Sequence, residues 1–485
     1  MKMNKLNSFL VLLLSMAFIS CEDNLLEGVT SVPADPPAIP ATAGSADFSN
    51  FVSLGNSLTA GFMDGALYNR GQSFSFPAQL HSSMAQIAGT GTPSSEFNQP
   101  DINSENGFFG TAGGGTVILG RLKLNSNSLP EPVLPGEVPL PYEGEKSELN
   151  NFGVPGILLG QLLSPDTGNP GSPLYNPLYA RFASEPGVST ILGDALATQP
   201  TFFSLWAGNN DVLGYAVSGA TNEAIFTDPT TFEFLFSQAF GALVSSGAKG
   251  VVANIPSVTD IPYFNTVPNN ALVLERQSQV DSLNAGFGLF NGGIQLYNST
   301  PGLPEEQKRP TVNFEVGQNL FLIEDNDLPD LTALGLPSIR QMTAEELVGL
   351  TVPQDSISIW LAQGRGIPDE FILTSSELDS IAQRVAALNT IIENQVTALG
   401  GDNVALVDMN TFFNDFAANG VSRFYGVTID PSLAPPFGGF SLDGVHPNAR
   451  GHALVANFFI DAINAKFGST LPYVSMEGAP GNDFP

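Results

Sequence analysis

The chain has 485 residues, 42% of them hydrophobic, which is enough for one large domain or two modest ones with a sizeable core. It carries 47 acidic against 17 basic residues and a formal charge of −30, which excludes nucleic acid as a partner, because phosphate binding needs clustered Lys and Arg. The same balance excludes electrostatic docking on anionic lipid and suits a soluble surface.

Residues 1–20 have the layout of a signal peptide: Lys2 and Lys5, then the almost unbroken apolar run Phe9 to Ile19, too short for a comfortable membrane span. Cys21 is the only cysteine, so no intramolecular disulfide can form. Residues 21–47 are rich in Pro, Ala, Ser and Thr and are expected to form a flexible tether. The folded domain is expected over residues 48–470, followed by a C-terminal tail over 471–485.

Short apolar runs bounded by Gly, Pro or Asn predict buried parallel strands at Phe51–Leu54, Thr201–Ala207, Gly250–Ile255 and Val404–Val407. Helical patterns fall between them at Phe232–Ser246 and Ser376–Leu399, and Asn448–Phe467 closes the chain with Asn448 as a candidate N-cap. This alternation predicts an α/β fold, a three-layer α/β/α sandwich around a mostly parallel sheet. Two segments break the rhythm, about 63–149 and about 264–371, rich in Gly, Pro, Ser and Asn. They are expected to be insertions at the active edge of the sheet.

Four segments carry candidate chemistry. Gly55-Asn56-Ser57 presents a hydroxyl just past the first strand, where open α/β sheets place their ligands. In Asp443-Gly444-Val445-His446-Pro447-Asn448 an aspartate three residues before a histidine can accept from its Nδ1–H and leave Nε2 as a base. The alternative for His446 is a cap on the closing helix. Gly208-Asn209-Asn210-Asp211 follows another strand, and a side-chain amide there can donate to an oxyanion. The glycines of Asn151-Phe152-Gly153-Val154-Pro155-Gly156 allow close backbone approach, although either segment alone also suits an ordinary turn. Of the other histidines, His81 lies in or beside the first insertion and His452 lies in the closing helix, where a structural role is expected.

Taken together and in this order, these segments resemble the SGNH hydrolases, also called the GDSL family. Gly55 to Leu58 is similar to the first block, Asn151 to Gly156 to the second, Gly208 to Asp211 to the third and Asp443 to Pro447 to the fifth. Asn56 stands where the family carries aspartate, and the interval from Ser57 to Gly156 is long for the family. The resemblance implies a flavodoxin-like sandwich and a serine hydrolase of carboxylic esters, lipolytic or general. Ser57 would be the nucleophile, His446 the general base and then acid, and Asp443 its orienting partner. The Ser57 N–H, the Gly156 N–H and the Asn210 amide would form the oxyanion hole. No metal and no organic cofactor is implied.

The alternatives are an acetylesterase acting on polysaccharide or cell-envelope glycan, and a catalytically retired surface-binding lipoprotein. Glu324-Asp325-Asn326-Asp327 is acidic enough to suggest Ca²⁺, but it lacks the ligand spacing of a known loop and suits a solvated turn. Ser20-Cys21 after the apolar run resembles a bacterial lipoprotein processing site. That resemblance implies acylation of Cys21 and a lipid-anchored protein of the cell envelope at the outer membrane, periplasmic or surface-exposed. The substrate would be a small-molecule, lipid or glycan ester.

Overall fold

The computed structural model describes residues 40–93 and 96–482. The expected signal peptide and Cys21 lie outside the described residues, as does most of the tether. The compact unit begins at Ala41.

Five strands form one all-parallel sheet: β1 (Phe51–Gly55), β2 (Asn151–Gly153), β3 (Phe202–Trp206), β4 (Lys249–Ala253) and β5 (Val404–Val407), in the order β5-β4-β3-β1-β2. Each strand sends alternate side chains to opposite faces. Val52, Leu54, Phe203, Leu205 and Val252 enter one core, while Phe51, Phe202, Trp206, Val251 and Ala253 enter the other. Covering both faces explains why these strands are continuous apolar runs rather than alternating ones. Within β1 and β3 the polar exceptions are Ser53 and Ser204, paired across the two strands, whose buried hydroxyls bond each other at 2.6 Å.

Six helices frame the sheet and the site: α1 (Ser57–Ala60), α2 (Phe76–Met84), α3 (Asn210–Val217), α4 (Pro229–Ser245), α5 (Ser375–Gln395) and α6 (Ala449–Phe467). Phe232, Phe236 and Phe240 of α4 and Ile381, Val385, Leu388 and Ile392 of α5 fill the first core. Phe76, Leu80 and Met84 of α2 and Phe459, Ile460 and Ile463 of α6 fill the second. The expected α/β architecture is therefore present, with helices on both sides of a parallel sheet.

Three expected boundaries need correction. The region 63–149 is not wholly an insertion, because α2 within it packs against the sheet and α6. Its apolar face was hidden by the polar stretches on either side. The tether does not run flexibly to residue 47: Ala43 and Ala46 are buried, and the Ser45 N–H donates to the Phe467 carbonyl at 2.9 Å. Residues 471–482 are not a free tail either. Leu471, Met476 and Ala479 are buried, and Asn457 of α6 exchanges two hydrogen bonds with the Val474 backbone.

Because the sheet is parallel, the C-terminal ends of its strands share one edge. The second insertion leaves the chain beyond β4 at that edge. It builds small cores of its own, one around Val267, Ile323, Val348 and Ile372, another around Val280, Phe287, Val312 and Phe314. Three two-stranded antiparallel ladders tie it together.

Candidate active site

The site is assembled from loops at that C-terminal edge. Gly55 ends β1 in register with Gly153 of β2 and Trp206 of β3. A Cβ on Gly55 would sit 2.2 Å from Thr59 Oγ1 and 2.3 Å from the Trp206 carbonyl, so only glycine lets the chain turn there. Asn56 caps α1, its Oδ1 accepting from the Leu58 N–H at 3.0 Å. Asparagine thus makes the turn bond without a charge. Ser57 follows as the first helical residue, where the backbone N–H has no partner within the helix.

The second component comes from the loop that enters α6. Asn448 caps that helix by accepting from the Gly451 N–H at 3.0 Å, a contact worth about 1 kcal/mol. Its amide also donates to the Gly438 and Phe440 carbonyls, which ties the start of the loop to its end. Between them, Asp443 Oδ1 accepts the Val445 and His446 N–H groups, each at 2.9 Å, closing a local turn. Asp443 Oδ2 lies 2.9 Å from His446 Nδ1, and His446 Nε2 lies 2.9 Å from Ser57 Oγ. The His446 and Asp443 side chains are 13% and 11% exposed, so the chain of bonds is shielded yet reachable. Burial pushes the Asp443 carboxyl up, but the charge and hydrogen bonds of His446 and the backbone donors outweigh it, holding the pKa at about 2. Asp443 is therefore ionised wherever His446 can act as a base. The Phe62 ring, 4.8 Å from the imidazole, packs against it.

The third component lies past β2 and β3. Gly156 has φ of 79°, is exposed, and a Cβ there would meet nothing within 4 Å. Backbone conformation, not crowding, calls for glycine at this place. The Gly153 N–H is already spent on Asn151 Oδ1 at 2.9 Å, which removes Gly153 as a donor. Asn210 Nδ2 donates to the Ile157 carbonyl at 2.8 Å, which places its amide beside the Gly156 segment and leaves a second N–H on the same nitrogen. Asp211 ties the same two segments together by accepting from the Leu159 N–H at 2.8 Å, and it also accepts from Thr227 Oγ1, between α3 and α4, at 2.7 Å.

Ser57, Asp443 and His446 thus form one hydrogen-bonded chain, and Gly156 and Asn210 are neighbours at the same sheet edge. His452 is fully buried, and neither of its ring nitrogens has a hydrogen-bond partner among the described residues. His81 lies in α2 against Phe97, with ring centroids 5.2 Å apart. In the acidic stretch 324–327, Glu324 pairs with Arg365 and Asp325 with Arg340, while the Asn326 amide donates to Asp369 and Asp327 accepts from the Ser376 hydroxyl. Among the described residues no group of three or more His, Cys, Asp or Glu could hold a metal ion. No described helix is long and apolar enough to cross a membrane. A groove of about 690 Å³ lies between the second insertion and the start of α5, but its one guanidinium, Arg340, is paired with Glu346 and Asp325, and none of Ser57, Asp443 and His446 lines it.

Sequence reasoning missed the support beneath the triad. The Gly65 N–H donates to Asp443 Oδ2 at 2.9 Å, and Asp64 bonds the neighbouring Leu442. The Asp64-Gly65 dipeptide is a turn signal, but nothing local connects it to a loop near the other end of the chain. No model of a known protein family matches the sequence, and comparison with curated proteins finds no match.

Proposed function

We propose that the protein is a serine hydrolase of carboxylic esters on an SGNH-type framework, working through an acyl-Ser57 intermediate. One observation carries the reading: the continuous chain Ser57 Oγ to His446 Nε2 to Asp443 Oδ2, with both links at 2.9 Å. Nucleophile, base and orienting carboxylate are in contact before any substrate arrives.

In this mechanism His446 Nε2 takes the Ser57 proton as Oγ attacks the ester carbonyl. The ionised Asp443 stabilises the imidazolium that results. The Ser57 N–H, the Gly156 N–H and the free N–H of Asn210 receive the developing oxyanion, where fixed donors stabilise charge without reorganisation. His446 then gives its proton to the leaving alcohol, and water reverses the sequence on the acyl-enzyme. Nothing in these steps calls for a metal or cofactor. Acylation at Cys21 would tether the enzyme to the outer membrane of a bacterial cell envelope.

An apolar acyl chain is the favoured part of the substrate. Phe108 and Phe109 are 37% and 46% exposed, and the Phe109 ring crowds Gly65, the residue that bonds Asp443. Large exposed apolar side chains beside a catalytic centre suit an apolar ligand. Hydrolysis of p-nitrophenyl esters of rising chain length tests this. Rising kcat/KM beyond acetate, abolished by Ser57→Ala, is expected. Strict preference for acetate would move the reading to glycan deacetylation, and no Ser57-dependent turnover on any ester would remove it.

A further inference from the structure

We propose that Asp64 is the positioning residue for Asp443, and that through Asp64 the first insertion holds the catalytic loop in its working place. The activity it would tune rests on the esterase reading above.

Asp64 is 9% exposed and grips the loop from below in two ways. Its Oδ1 accepts from the Leu442 N–H at 3.0 Å, and its own N–H donates to Ser441 Oγ at 2.9 Å. The residues held are the two immediately before Asp443. The third contact depends on backbone shape. Asp64 adopts φ of 55°, left-handed for a non-glycine residue, and the following Gly65 N–H then donates at 2.9 Å to Asp443 Oδ2. That oxygen is the one that receives His446 Nδ1. A shift of the Asp64 turn therefore moves the acceptor that orients the base.

The other contacts of Asp64 lead into the insertion. Its Oδ2 accepts from the Tyr68 hydroxyl at 2.7 Å, and its carbonyl accepts from the Leu122 N–H at 2.8 Å. The neighbouring Arg121 guanidinium lies over the Tyr68 ring, 4.9 Å from its centroid. Burial raises the Asp64 carboxyl to about 6, the bonds from Leu442 and Tyr68 oppose that, the charge of Asp443 adds to it and Arg121 lowers it. A second acidic group beside Asp443 is costly to bury, and a turn with no further role could use glycine alone.

The test compares Asp64→Ala, Asp64→Asn and Tyr68→Phe in the full chain, reading kcat, KM and the low-field proton resonance of His446 Nδ1–H. That resonance is assigned by its loss in His446→Gln. Asp64→Ala is expected to lower kcat about tenfold to a hundredfold while KM stays within about threefold, because a small misplacement of catalytic groups costs that much. Its Nδ1–H resonance is expected to shift or broaden. Asp64→Asn keeps an acceptor for Leu442 and tolerates the left-handed turn, so most of the rate and the resonance should return. Tyr68→Phe should move the resonance and lower kcat a few-fold, and it carries the test if Asp64→Ala does not fold. An unmoved resonance and unchanged kcat in Asp64→Ala, or in Tyr68→Phe if it stands alone, overturns the proposal. If the wild type turns over no ester, the esterase reading fails while the resonance still decides the role of Asp64.

Discussion

The loop of Asp443 and His446 and the first turns of α6 each carry a histidine, and the two rings have opposite lives. His446 is bonded at both nitrogens, to a carboxylate on one side and a hydroxyl on the other, with part of its side chain exposed. His452 has no solvent contact and neither ring nitrogen has a hydrogen-bond partner among the described residues. Burial, with a smaller contribution from the charge of His446, pushes the His452 pKa down to about 3. The lesson is that access and wiring assign the role of a titratable ring. Nearness to the site does not, since the two lie within a few residues of each other.

The comparison can be broken most severely at the triad. Ser57→Ala and His446→Ala should each cut ester turnover by about four orders of magnitude or more, as losing members of one catalytic unit does. His452→Leu should change turnover by less than about twofold under the same assay. Comparable losses at both histidines would refute the contrast. A smaller effect is expected at the proposed oxyanion hole. Asn210→Ala should lower kcat roughly a hundredfold to a thousandfold with little change in KM. An unchanged kcat would mean that the bond to Ile157 is all the amide does.

The least effect on activity and the sharpest on pH belongs to His452. Its folded pKa is below its ordinary value of 6.5, so the unfolded chain binds the extra proton between about 3 and 6.5. Stability from this group therefore rises with pH through that window and is lost on acidification. Asp64 and Asp211, both raised to about 6, act in the opposite sense, losing stability as pH rises from 3.8 to about 6. The difference between wild-type and His452→Leu unfolding curves isolates the histidine. It should widen in favour of the variant below pH 6.5, and a pH-independent difference would contradict the account.

The parts of this arrangement differ in how far they could be read in advance. Strands β1, β3, β4 and β5 are legible because each is a short, largely apolar run with Gly, Pro or Asn at its border, and α5 and α6 because their apolar faces repeat at helical spacing. Strand β2 is only Asn151–Gly153, too short for a period to show, and its place is set by pairing with β1. Helix α2 was masked by the glycine- and proline-rich segments around it. Ser57, Asp443 and His446 were each a weak signal alone, and became legible as a set through the resemblance of the four segments together to the SGNH hydrolases. The support from Asp64 and Gly65 was not, because it consists of contacts between segments more than 370 positions apart. Such contacts follow from tertiary closure and leave no local pattern.

The central claim is that Ser57 is an activated nucleophile, and a fluorophosphonate probe followed by peptide mass spectrometry measures it most directly. The account predicts one adduct on Ser57 of the folded protein, absent in Ser57→Ala and strongly slowed in His446→Ala. No adduct on the folded wild type would contradict it and favour a surface-binding protein, and an adduct that persists in Ser57→Ala would contradict it by placing the reactive nucleophile elsewhere.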